Sequence, residues 1–159
     1  MTTAELARRL EADGCNPANY TINARSYDGF CLMRNGRQWV VFYSERGDDQ
    51  PPIFTSEEEA AACQYYLDFV LRMRHSHCVG FLRSATAAQA LQTKLAQHGI
   101  ETQASRLLYS TNDYRHQVFV IGKDIFAARK LLGKLPVTDA EDKQPGLGAL
   151  LWKWLAGGS

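Results

Sequence analysis

Charge of one sign is what this chain most conspicuously lacks. Lys and Arg number 18 against 17 Asp and Glu, a formal net charge of +1. The basic residues are scattered without a run, so no field gathers a polyanion, which argues against nucleic acid as the partner. Long apolar runs are missing too: none approaches the roughly 20 residues that a membrane-spanning helix requires. Met1-Thr2-Thr3-Ala4-Glu5-Leu6 has no basic segment leading into an apolar core, so no secretory signal is expected and the expected address is the cytoplasm. Cysteine is sparse and irregular. Cys15, Cys31, Cys63 and Cys78 form no Cys-x-x-Cys pair, and in a reducing compartment they read as small buried hydrophobes. Nucleophile elbow, phosphate-cradling glycine loop, paired-histidine helix and dinucleotide fingerprint are all absent. The expectation is a protein that is not an enzyme, with no catalytic residues, no cofactor and no metal.

Two groups test that expectation. His75, His77 and Cys78 offer imidazole and thiolate, both of which suit zinc, but a closed tetrahedral site needs a fourth ligand and no second cluster stands at a recognised spacing. A nucleophilic pair made from Cys63 or Cys78 with His77 or His116 stays open, because such partners meet in space and not in sequence.

What is present is an α+β pattern in a chain of 159 residues, long enough for one core or two packed halves. Residues 3–13 place Leu6 and Leu10 on one face of a short helix that Asp13-Gly14 stops. Strands are expected at 20–25, 30–33 and 39–43, with Asn35-Gly36 marking a hairpin. They predict an antiparallel meander, with a short fourth strand at Ile53-Phe54. Ser56 and Glu59 suggest a capping box opening an apolar helix that runs to about residue 73 and packs over the meander. Residues 78–82, 85–98, 101–110, 117–121 and 124–134 read as strand, helix, strand, strand, helix, a ferredoxin-like order with helices on one face of an antiparallel sheet. Ser84 and Asp124 are the candidate N-caps of its helices, and Gly99 and Gly133 their stops. Leu6, Leu10 and Gly14 match Leu91, Leu95 and Gly99 in spacing, which raises the expectation of two similar halves. The units are then 1–74, 75–135 packed on the first, and 136–159, a linker ending in a short helix with Trp152 and Trp154.

The best-specified unit is the Trp39-led strand ending in Tyr43-Ser44-Glu45-Arg46-Gly47, followed by Phe54-x-x-Glu57 and Ala60-x-x-Cys63 in an aromatic-rich helix. Over residues 20–74 this pattern resembles the small immunity proteins of bacterial polymorphic toxin systems, including contact-dependent growth inhibition. The resemblance implies a non-enzymatic protein that binds and neutralises a cognate toxin domain. A homo-oligomer is compatible with it. Asp48, Asp49, Glu57 and Glu58 are expected to gather four negative charges around one loop, with Glu45 at its rim, and to steer a basic partner. Tyr114, Trp152 and Trp154 are the candidate aromatic anchors. The alternative is an adaptor or peptide-binding domain built on the second half, and after it a small hydrolase using Cys and His.

Overall fold

In the computed structural model, which describes residues 1–139, the chain divides into two units at His75 and Ser76. The expected linker and tail beyond residue 139, with Trp152 and Trp154, lie outside the described residues.

The first unit opens with helix α1 (Thr3–Ala12), which buries Leu6 and Leu10. A capping box forms here, with Thr2 accepting from the Glu5 amide and Glu5 accepting from the Thr2 amide. Five strands follow: β1 (Tyr20–Ile22), β2 (Asp28–Asn35), β3 (Gln38–Glu45), β4 (Asp48–Asp49) and β5 (Phe54–Ser56). Helix α2 (Glu59–Leu71) closes the unit, laying Ala62, Cys63, Tyr66, Leu67 and Val70 against Leu32, Trp39 and Val41. Tyr66 is fully buried yet satisfied, its hydroxyl donating to the carbonyls of Thr21 and Phe30. The other face of β2 and β3 buries Cys31, Val40 and Phe42.

Two expectations are corrected in this unit. The meander is not wholly antiparallel: β1 runs parallel to β2, Tyr20 opposite Phe30 and Ile22 opposite Leu32. Asn23 turns the chain at φ 57 and donates its amide to Leu32, so the chain doubles back before β2 begins. The capping box at Ser56 does not form. Ser56 pairs with Trp39 as a strand residue, its hydroxyl takes the Glu58 amide, and Glu58 is the N-cap. Glu59 instead accepts from the Thr3 amide at 2.8 Å, a carboxylate placed at the positive end of α1.

His75 ties the unit together. Its Nδ1 accepts the Asn16 amide at 3.0 Å and its Nε2 lies 2.8 Å from the Val70 carbonyl, to which it donates. The ring thus joins the end of α2 to the loop after α1.

The second unit contains β6 (Ser76–Leu82), α3 (Ala85–Gln97), β7 (Gln103–Ser110), β8 (Asp113–Ile121), α4 (Asp124–Leu132) and β9 (Val137–Thr138). Its strand order is β7-β8-β6-β9, that of a split βαβ, and α3 and α4 bury Leu91, Leu95, Ile125 and Ala128 against Val79, Val118 and Val120. One departure is the direction of β9, which pairs with β6 in parallel. Ser84 caps α3 by accepting the Ala87 amide. Asp124 is not the cap of α4; Lys123 holds that place and Asp124 supplies acid in the first turn. Gly80 stands where β6 passes under α3: a Cβ there would come within 2.5 Å of Leu91 Cδ2 and 3.3 Å of Val118 Cβ.

The expectation of two similar halves fails on topology, since the sheets differ in strand order and in where helices enter the chain. The matched spacing has a local cause. Gly14 and Gly99 both take positive φ (71 and 72), Cys15 and Ile100 donate back to Leu10 and Leu95, and Gly14 and Gly99 to Glu11 and Ala96. That is one Schellman motif used twice, with its apolar contact included. Among the described residues no helix is long and apolar enough to cross a membrane.

Two substitutions check this packing. Gly80→Ala is expected to cost about 1–3 kcal/mol by overpacking, with part of the loss recovered when Leu91→Val is added, as read by chemical denaturation. His75→Ala removes the imidazole acceptor of the Asn16 amide and one of the donors to the Val70 carbonyl, which keeps the Met73 amide, and is expected to cost about 1–3 kcal/mol in the same assay.

Candidate partner-binding surface

Strand register builds an acidic patch in the first unit. Asp28 pairs with Glu45 across β2 and β3, and Glu45 pairs with Asp48 across β3 and β4. Directly opposed residues point to one face, so three carboxylates stand in a row at strand spacings of about 4.8 Å. They continue the helix-bearing face one step beyond the Phe30–Tyr43 ring contact, whose centroids are 5.0 Å apart. Like charges set directly opposite destabilise a sheet. Partial relief comes from two neighbours: Tyr43 donates its hydroxyl to Asp28, and Arg25 lies 2.7 Å from the carboxylate of the adjacent Asp49. Among the described residues, Glu45 and Asp48 have no ion-pair partner.

The turn that closes this row is strained. Arg46 and Gly47, at φ 53 and 94, form a two-residue link of the I′ kind, which favours Asn or Gly at its first position. An arginine in left-handed backbone costs on the order of 1 kcal/mol. Its amide is held by the Tyr27 carbonyl, and Tyr27 is 58% exposed beside the row.

The sequence-derived residues therefore divide. Glu45, Asp48 and Asp49 come together as expected. Glu57 and Glu58 do not join them: Ser56 pairs with Trp39, at the far end of β3 from Glu45, about 20 Å away at 3.3 Å per residue. Instead of gathering the four charges, the segment from β4 to β5 runs along the edge of β3. Tyr114, in the second unit, is 45% exposed with the Arg106 guanidinium 3.8 Å above its ring. Asp28 and Tyr27 belong to the rim but are not among the expected residues, because only the β2–β3 register brings them beside Glu45. The division of charge was missed as well. Residues 1–75 carry eight arginines, no lysine and eleven carboxylates, while residues 76–139 carry eight basic and four acidic side chains.

All four cysteines are free and buried. Burial pushes the Cys78 thiol up to about 12 and raises that of Cys63. His77 and Cys78 are successive residues on β6, so they point to opposite faces, and both ring nitrogens of His75 are occupied by backbone groups. Among the described residues no cluster of three metal-ligating side chains exists.

These features define a two-unit α+β protein with an acidic rim at one strand end. No family model, no curated protein and no solved structure matches the chain.

Asp28 raises the pKa of Tyr43 to about 12, first by accepting its hydrogen bond, then with help from burial. The neutral phenol is favoured in the folded state, so this contribution is complete below the ordinary tyrosine value near 10 and disappears as pH rises through about 12. In a spectrophotometric titration of tyrosinate, Asp28→Ala is expected to return one tyrosine to the ordinary range while Tyr20 and Tyr66 keep their raised values.

Proposed function

We propose that this chain is an immunity-type protein, acting in the cytoplasm, which binds a basic toxin domain through the rim formed by Asp28, Glu45, Asp48 and Asp49 and neutralises it without turnover. The observation that carries this reading is the registered row of carboxylates closed by a strained arginine. Both features lower stability, and backbone strain retained on an exposed turn is a mark of function. A net-negative first unit focuses the attraction and raises the association rate for a basic surface. Tyr27 and Arg46 are residue types that anchor interfaces, standing where charge steers the encounter. The inert thiols and the engaged histidine support binding over Cys–His hydrolysis. A second reading, a peptide-binding adaptor unrelated to toxins, draws support from the long exposed strand β7 of the second unit.

The test is co-expression with any toxin domain found encoded beside this gene, followed by binding kinetics on the purified pair. Growth protection and a stable complex are expected. Asp48→Lys with Asp49→Lys should slow association at least tenfold at low salt, with the deficit shrinking as salt screens the field. Arg46→Asn should stabilise the free protein by about 0.5–1 kcal/mol through relief of the turn yet weaken the complex. Unchanged association after double charge reversal overturns the rim as the contact surface; no protection by the wild-type chain overturns the immunity role itself.

A further inference from the structure

Sheet edges expose unpaired backbone amides and carbonyls, and proteins blunt them with short strands, proline, inward charge or bulges. In the first sheet one edge is the three-residue β1, and the other is broken by Pro51-Pro52 between β4 and β5. In the second sheet one edge is the two-residue β9. The remaining edge is β7, Gln103–Ser110, eight residues long and exposed at all but Leu107. It contains no proline, no lysine and no carboxylate, and one arginine, Arg106. Leu108, Tyr109 and Tyr114, three of the seven exposed large hydrophobic residues of the described chain, cluster on the hairpin it forms with β8.

We propose that β7 pairs antiparallel with β7 of a second copy of this chain, joining two four-stranded sheets into one of eight strands. This inference is independent of the rim and of its proposed partner. Self-pairing fixes the register narrowly. Two copies related by a two-fold axis normal to the sheet keep their helices on the same side, and directly opposed residues share a face. Opposed positions must therefore be separated by an even number, which centres the pairing on a residue. Centred on Arg106, it opposes two guanidinium groups. Centred on Leu108, it draws the irregularity between Leu108 and Ser110 into the middle of the ladder. Centred on Leu107, it opposes Leu107 to Leu107 and sets each Arg106 beside the partner's Leu108, and it meets the irregularity between Leu108 and Ser110 only at its outer pairs. Centred on Ser105, it stays within the regular stretch but opposes serine to serine and leaves Leu108 and Tyr109 outside the ladder; the Leu107-centred register is the one that joins the exposed apolar side chains without like-charge contact.

The occupant is tested on the full chain by sedimentation equilibrium. A concentration-dependent dimer is expected, and charges at position 108 should act with opposite sign. Leu108→Lys sets two cations against Arg106 of the other copy and should weaken the dimer at least tenfold relative to Leu108→Glu, which offers Arg106 a carboxylate on either side. Both changes remove the same apolar side chain, so hydrophobic loss alone leaves them equal. In a second arm, a mixture of Arg106→Cys and Leu108→Cys proteins should oxidise to a cross-linked heterodimer faster than either protein alone; the native cysteines are buried. A monomer at several hundred micromolar, equal dimerisation of the two charge variants, or cross-linking no faster in the mixture overturns the proposal.

Discussion

Strand β3 carries both apolar faces of the first sheet, and the rest of that unit depends on its register. Trp39 and Val41 meet the helices, Val40 and Phe42 fill the opposite face, and all four are buried. A strand apolar on both faces gives its neighbours little help in choosing between registers that differ by one residue, because either choice buries hydrocarbon. The choice falls instead on the turns. Gly36 at φ 60 closes β2 onto β3 so that Asn35 meets Gln38, and Arg46 with Gly47 closes β3 onto β4. Between β4 and β5 the two prolines can donate nothing, and the amides of Gln50 and Ile53 on either side of them bond back to Tyr43 and Val41. The positions of Asp28, Glu45 and Asp48 follow from those turns, with no attraction among the carboxylates required.

What could be read from the sequence was whatever local chemistry decides. The Trp39 strand, the glycine turns, the Ser84 cap and the helix stops at Gly14, Gly99 and Gly133 all rest on contacts within a few residues. What escaped depends on distant partners. Parallel pairing of β1 has no local signature, and two-residue β4 is too short for periodicity to show. Ser56 and Glu59 have capping-box spacing, but Trp39 claims Ser56 for the sheet and the α1 terminus claims the Glu59 carboxylate. The same spacing at Thr2 and Glu5 has no competitor and does form the box. The rim was half legible: Glu45, Asp48 and Asp49 are neighbours in sequence, whereas Asp28 reaches them only through β2, and Glu57 and Glu58 leave them because the edge strand runs on.

The second unit spends its buried polar contacts on its hairpin. Arg115 is 3% exposed, paired in two-pronged fashion with Asp113 at 3.0 and 2.9 Å, and its guanidinium lies 5.4 Å from the Phe81 ring and 5.0 Å from the Tyr109 ring. The arginine holds Asp113 below the usual carboxylate range, chiefly by hydrogen bonding. A bidentate, ring-flanked guanidinium is a stiff element. It stands at the start of β8, across the Thr111-Asn112 turn from the end of β7. Stiffness matters because an edge that frays offers no template for pairing.

The rim and the edge share a thermodynamic logic. A domain of this size holds about 5–15 kcal/mol of net stability, and each opposed carboxylate pair forgoes several tenths of a kcal/mol, with roughly 1 kcal/mol more at the Arg46 turn. Simple changes would recover this: lysine at position 45 would pair with carboxylates on both sides, and asparagine or glycine at 46 would relax the turn. Neither touches the core, so packing does not require the present residues. The cysteines and His75 contrast with this, since each fills or satisfies a buried position and has a structural account that needs no activity. The features left without a stabilising role are surface features, the opposed carboxylates and the Arg46 turn.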